Sequence, residues 1–266
     1  MVKKMVFSSI LVLLLVVTNS VGTVDAKIAS NAGTTSATFL KIGIGARPTA
    51  LAGTYCGIAD DVLSLYWNPA GLTNIKKKEV FAQHIVWLAD IGYEYLAYAH
   101  PIEKIGTFGV GLGYLSTGSI EKRKRSPDYG VTGQGPGTYV TEGEKVGSYK
   151  GSDMAINIAY ARQLREDISL GLNLKYVQET IDGTSANTAS ADIGAKYILK
   201  LKGRDINLGL AVQNIFGSMK FVNESFSLPL NIKLGAGYKL LDDKLTVGLD
   251  LNVPKDDVFH ISAGGE

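Results

Sequence analysis

Strict two-residue alternation constrains this chain more than any other feature. In ISLGLNLKYV, Ile168, Leu170, Leu172, Leu174 and Tyr176 alternate with Ser169, Gly171, Asn173, Lys175 and Val177. Successive side chains of a strand point to opposite faces, so one face here is apolar and the other small or polar. The pattern recurs in INLGLAVQ from Ile206, LNIKLGAGYK from Leu230, LTVGLDLN from Leu245 and TFGVGLGY from Thr107. It is diluted by small residues in 153–161 and 190–200. Ten strands are predicted, at 79–88, 93–102, 107–116, 151–163, 168–180, 188–200, 205–215, 228–239, 244–253 and 258–265.

Alternation alone fits a water-soluble sandwich as well as a membrane barrel, since both carry one apolar and one polar face. Length and connections separate them. Many of these strands reach the ~9–11 residues that a membrane strand needs, against ~5–6 for a typical soluble one. Every second connection is short and charged: 103–106, 165–167, 202–204 and 241–243. The intervening ones, 117–150, 181–187 and 216–227, are longer, although the first, around Asp90, is short. Short turns at one end and long loops at the other are the arrangement of an outer-membrane barrel. The expected fold is therefore all-β, an antiparallel outer-membrane β-barrel.

The N-terminus makes that compartment accessible. Lys3 and Lys4 precede an apolar run from Met5 to Val17, and Val24-Asp25-Ala26 places small residues where a signal peptidase reads them. The run falls short of the ~20 residues that a spanning helix needs. Residues 1–26 read as a cleaved secretory signal, with the mature chain starting near Lys27. No Cys lies near the cleavage site, and the single Cys56 excludes an internal disulfide. A net charge of +2 supplies no broad basic field for nucleic acid.

Between the signal and the first strand lies DDVLSLYWNPAGL, residues 60–72, behind a tract of small residues from Gly45 to Ala59. Pro48 suits the first turn of a helix. Asp60 or Asp61 is expected to cap a short helix, Val62 to Trp67. Asn68, held extended by Pro69, should end that helix. Gly71 should supply a turn with positive φ. Trp67 has the area to anchor the segment. With no His or nucleophile beside the Asp pair, a cap is the simpler reading than a catalytic dyad. Residues 27–75 are thus expected to form a plug or periplasmic segment, with Asp60, Asp61, Trp67, Asn68, Pro69 and Gly71 as its structural motif and 76–266 as the barrel.

Phe39 to Leu72 also resembles the N-terminal signature of the PorV/PorQ family, grouped with the FadL-like outer-membrane proteins. The matching parts are Phe39-Leu40-Lys41, Gly43, Gly45-Ala46-Arg47, Ala50, Ala52-Gly53, Ala59-Asp60-Asp61 and Trp67-Asn68-Pro69-Ala70-Gly71-Leu72. The combination is specific, whereas the NPAG turn alone is weak. The resemblance implies a 14-stranded barrel with an N-terminal segment in or under its lumen. It implies either type IX secretion, with cargo proteins and secretion components as partners, or passive transport of hydrophobic small molecules. Against those 14 strands, the ten predicted here end at HISAGGE within a strand, which reads as truncation at the C-terminus.

No cofactor or metal site is expected. His84, His100 and His260 lack ligand spacing. GQGPG at 133–137 has no following Lys-Ser/Thr, so it reads as a surface loop. EKRKR at 121–125 is balanced by nearby acids. Lys76, Lys77 and Lys78 are expected to mark the membrane interface, with outer-membrane lipid around the barrel.

Overall fold

The computed structural model describes residues 29–124, 143–201 and 204–266. The chain divides into two compact units, Met1–Ser30 and Asn31–Glu266, and all elements below belong to the second. The signal expected at 1–26, the GQGPG stretch and the Lys202-Gly203 turn lie outside the described residues.

The strands are β1 (Glu79–Val86), β2 (Gly92–Ile102), β3 (Gly106–Ser116), β4 (Ile120–Arg123), β5 (Lys145–Tyr149), β6 (Gly151–Arg165), β7 (Ile168–Ile181), β8 (Thr184–Leu201), β9 (Arg204–Gln213), β10 (Ser218–Lys220), β11 (Ser225–Ser227), β12 (Asn231–Leu240), β13 (Leu245–Pro254) and β14 (His260–Gly265). Ten of them form one sheet in the order β1-β2-β3-β6-β7-β8-β9-β12-β13-β14. Every neighbouring pair is antiparallel, and each of the ten predicted strands has its counterpart. Among the described residues β1 and β14 are the edges, with no pairing between them. The small hairpins β4–β5 and β10–β11 extend the 117–150 and 214–230 connections and were not anticipated.

One expected long loop is instead a tight turn. The connection at 181–187 shrinks to Asp182-Gly183, because β7 and β8 pair as far as Ile181 and Thr184. Both turn residues have positive φ, 51° and 79°. Asp-Gly in that conformation follows the twist of the flanking strands, so the hairpin closes in two residues. The long-loop end therefore rests on 117–150 and 214–230.

The sheet is apolar on the face it exposes. On β7, Leu170, Leu172, Leu174 and Tyr176 are 44%, 43%, 52% and 40% exposed, while Gly171, Asn173, Lys175 and Val177 between them are buried. The same inversion holds for Phe108, Val110 and Leu112 on β3, Ile156 and Ile158 on β6, and Ile232 and Leu234 on β12. A water-soluble sheet buries its apolar face. This one buries small and polar side chains.

What covers that inner face is the segment ahead of β1. It holds helix α1 (Ala46–Ala50), helix α2 (Ser64–Trp67) and 3-10 turns at Thr38–Lys41 and Pro69–Asn74. It starts at the long-loop end, where the Ser36 amide donates to the Ser227 carbonyl at 3.0 Å and Thr35 Oγ1 to Asp256 Oδ2 at 2.6 Å. It finishes at the short-turn end, where Thr73 Oγ1 meets Ser169 Oγ at 3.0 Å. Phe39, Ile44, Leu51, Tyr55, Leu63, Leu65, Trp67 and Leu72 from this segment make up most of the large side chains of the buried core. Among the described residues no helix is long and apolar enough to cross a membrane, which says nothing about strands.

Candidate functional site

The NPAG turn lies against glycines of the sheet. A Cβ added to Gly171 on β7 would stand 2.3 Å from the Pro69 carbonyl carbon and 2.4 Å from the Ala70 nitrogen. One added to Gly194 on β8 would stand 2.2 Å from Asn68 Oδ1. Real side chains do not approach so closely, so glycine at these wall positions lets the turn's backbone lie directly on the sheet.

Asn68 fastens the turn. Its backbone is extended, φ −157° and ψ 102°, as the following proline demands. Oδ1 accepts from the Ala70 amide at 3.2 Å, capping the 3-10 turn. Nδ2 donates to the Cys56 carbonyl at 2.8 Å and to the Ala195 carbonyl on β8 at 3.3 Å. Pro69, Ala70 and Gly71 are all buried. Gly71 does not have the positive φ expected of it. It lies inside the 3-10 turn, and a Cβ there would be 2.5 Å from Ser64 Oγ and 2.7 Å from the Ala59 carbonyl. Space, not backbone handedness, demands glycine at 71.

Trp67 is 6% exposed, and its Nε1 donates to the Ile44 carbonyl at 2.9 Å. Tyr55 and Tyr66 meet it edge-on at 6.2 and 5.1 Å between centroids. Burial pushes the Tyr66 hydroxyl well above the usual phenol range. Trp67 thus ties 43–53 to 64–67 within the segment, and it touches the sheet through Lys233 on β12.

The aspartates serve differently from a plain cap. Helix α2 starts at Ser64, with Leu63 ahead of it and no side-chain cap. Asp61 Oδ1 instead accepts from the Leu63 amide at 2.9 Å. The reason is Arg47, whose Nη1 reaches Asp60 Oδ1 at 2.6 Å and Asp61 Oδ2 at 3.3 Å, drawing the pair away from the helix end. The same guanidinium donates to Tyr55 Oη at 2.6 Å and clasps Glu266 through Nε and Nη2 at 2.8 and 2.6 Å. Its hydrogen bonds to Glu266, opposed by burial and aided by Asp60, hold Arg47 charged. The same bond holds the Glu266 carboxyl below its usual range, against its partial burial. Burial first, then the Asp61 charge, pushes the Tyr55 hydroxyl up.

Sequence reasoning missed the wall's half of the site. Asp250 Oδ2 on β13 accepts from the Tyr55 and Cys56 amides at 2.9 and 2.8 Å. Lys196 on β8 donates to the Ala59 carbonyl and Gln213 on β9 to the Tyr66 carbonyl, each at 2.6 Å. Asn173 on β7 donates to the Leu65 carbonyl at 3.3 Å. On β1, Gln83 and Glu79 accept from the Gly45 and Val62 amides at 2.7 and 2.8 Å. An irregular segment inside a protein must have its backbone groups paired, and here strand side chains pair them. The available signal was polar residues recurring on the small face of each alternating strand. Cys56, wedged among these contacts, is fully buried, and its thiol is pushed up to about 12 by burial and the Asp250 charge.

The histidines stand apart: His84 meets Glu94 across β1–β2, and His100 meets Tyr98. Among the described residues no cluster of His, Cys, Asp or Glu gathers to hold a metal ion.

The sequence profile described as type IX secretion system protein PorV matches residues 25–259, covering the inner segment and all the strands ahead of β14. The chain belongs to the PorV family. Curated proteins yield no match to it. The PorV-family resemblance carried by Phe39 to Leu72 is thus part of a match over most of the chain. The PorV-type residues Trp67 to Leu72 form the turn seated on Gly171 and Gly194.

Proposed function

We propose that this PorV-family chain is a non-catalytic β-barrel protein of the bacterial outer membrane that serves type IX secretion by handling cargo proteins at the cell surface. Residues 1–26 act as the export signal, 27–75 as a fixed plug, and 76–266 as membrane-spanning strands. The observation that carries this reading is the combination of the family match with the exposed apolar face. A surface of Leu, Ile, Val, Phe and Tyr side chains on the sheet's outer face suits lipid. The partners are outer-membrane lipid, other secretion components and cargo.

The plug reading draws support from the wall contacts. Strands β1, β7, β8, β9, β12 and β13 hold the segment through side chains, and Gly264 on β14 lies against the Leu51 backbone. A segment so held does not swing aside as a transport gate does. The work then falls to surfaces outside the lumen, which suits protein handling.

The test is deletion of the gene and complementation. Loss of secreted cargo from the cell surface, with uptake of hydrophobic compounds unchanged, is the expected result. Normal cargo secretion with impaired uptake of a hydrophobic compound would favour the passive-transporter reading instead.

A further inference from the structure

Three buried lysines project from the inner face, and two of them are satisfied. Lys175 on β7 pairs with Asp192 on β8 at 2.6 Å. Lys196 donates to the Ala59 carbonyl at 2.6 Å. Lys233 on β12 is the exception. It is 6% exposed overall, and its ammonium, which pairs with no protein group among the described residues, keeps an opening onto a cavity. Its nitrogen lies 4.4 Å from the centre of the Trp67 ring. Asp250 does not come within ion-pair distance of it; Asp250 Oδ2 accepts from two segment amides, and its Oδ1 has no partner.

An ammonium that opens onto a cavity with no protein acceptor is left to pair with water or with a bound anion. The Trp67 ring face supplies only part of what an acceptor would. Lys233 borders a cavity of about 280 Å³ at the long-loop end, between the segment and strands β9 and β12–β14. Asn252 lies directly across from it on β13, and Asn231 is two residues before it. Both line the same cavity; Asn231 Oδ1, buried without a partner, is an acceptor, so the amide donor for an anion falls to Asn252. Two acids also line the cavity: Asp256, paired with Lys41 at 3.1 Å and accepting from Thr35 Oγ1, and Asp257, which makes no ion pair among the described residues.

We propose that this cavity is a binding site for a small organic carboxylate, whose oxygens take the Lys233 ammonium and a neighbouring asparagine amide while its carbon skeleton lies against Trp67. The site combines an ammonium with no protein partner, the Asn252 amide across from it and an aromatic floor, which together can hold a small carboxylate. The polar wall distinguishes it from a pocket for acyl chains.

The full chain, folded in detergent micelles and carrying Trp87→Phe, leaves Trp67 as its single tryptophan and places the reporter beside the site. Butyrate is titrated, with butylamine, inorganic phosphate and palmitate as comparisons, and assembly is checked by heat-modifiability on gels. The expected result is a saturable change in Trp67 emission with butyrate and none with butylamine. Lys233→Gln should weaken the response at least about tenfold, the scale of one charge-assisted hydrogen bond. Asn252→Asp places a competing carboxylate across from Lys233 and should abolish the response with assembly intact. The proposal is overturned by the absence of a saturable response, by an unchanged response in an assembled Lys233→Gln or Asn252→Asp variant, or by phosphate or palmitate binding as well as butyrate. Failure of both variants to assemble would make Lys233 a structural group and overturn it too.

Discussion

Trp67 and Gly71 make opposite demands on the same few ångströms of core. Trp67 fills space against Tyr55, Tyr66 and Lys233, so Trp67→Ala should leave a cavity and cost about 3–5 kcal/mol. Urea titration of the folded protein in micelles measures it, and a loss below about 1 kcal/mol would mean the ring is not packed as described. Gly71 leaves no space, so Gly71→Val should block assembly through collision with the Ala59 carbonyl. Asp60→Asn should assemble normally, because Asn keeps an acceptor for Arg47 and Asp60 is half exposed. An assembled Asp60→Asn protein that is dead in cargo secretion would make Asp60 a working group. Glu266 gives this clasp its pH dependence. Its folded value is depressed by Arg47, so the bond's contribution is present above the unfolded value, about 4.3, and is lost as pH falls through the folded one. The acid limb of stability should therefore flatten in Glu266→Gln, and an unchanged limb would exclude this pair as its source.

At the scale of elements, the strands were legible and the segment was legible only in part. Period-two alternation located all ten strands of the sheet because a face that must differ from its opposite writes itself into the sequence. The Asp182-Gly183 hairpin was overlooked because strand residues around it, Thr180 and Ser185, are polar on both sides of the turn. For the segment, Asn68-Pro69 correctly marked the end of helix α2. Arg47's capture of Asp60 and Asp61 depends on two stretches folding against each other, and the anchors on β7, β8, β9 and β13 lie more than a hundred residues downstream. No local pattern reports such pairing. The sidedness of the loops belongs at this scale. In a Cys56→Ala background, Glu144→Cys beside β5 should react with an impermeant maleimide on whole cells, and Glu103→Cys in the β2–β3 turn should not. The reverse pattern would invert the topology. Cys56 itself, buried and with its thiol raised to about 12, should stay unlabelled at neutral pH until the protein unfolds.

For the whole molecule, the deciding question is which solvent meets the outer face. Burying Gly, Ala, Asn and Lys beneath a surface of Leu, Ile and Tyr is unfavourable in water and favourable in a bilayer. The inner segment then acts as the core that an inverted sheet lacks, which explains why its backbone is held by wall side chains rather than by long helices of its own. The direct measurement is spin-label accessibility in lipid vesicles, with single cysteines at Leu172 and Leu234 on the outer face and at Glu103 in the turn, all in the Cys56→Ala background. Labels at 172 and 234 should relax with oxygen dissolved in the bilayer and ignore a water-soluble nickel chelate, while the label at 103 should do the reverse. Nickel access at 172 and 234 equal to that at 103 would place the apolar face in water and contradict the membrane reading of this chain.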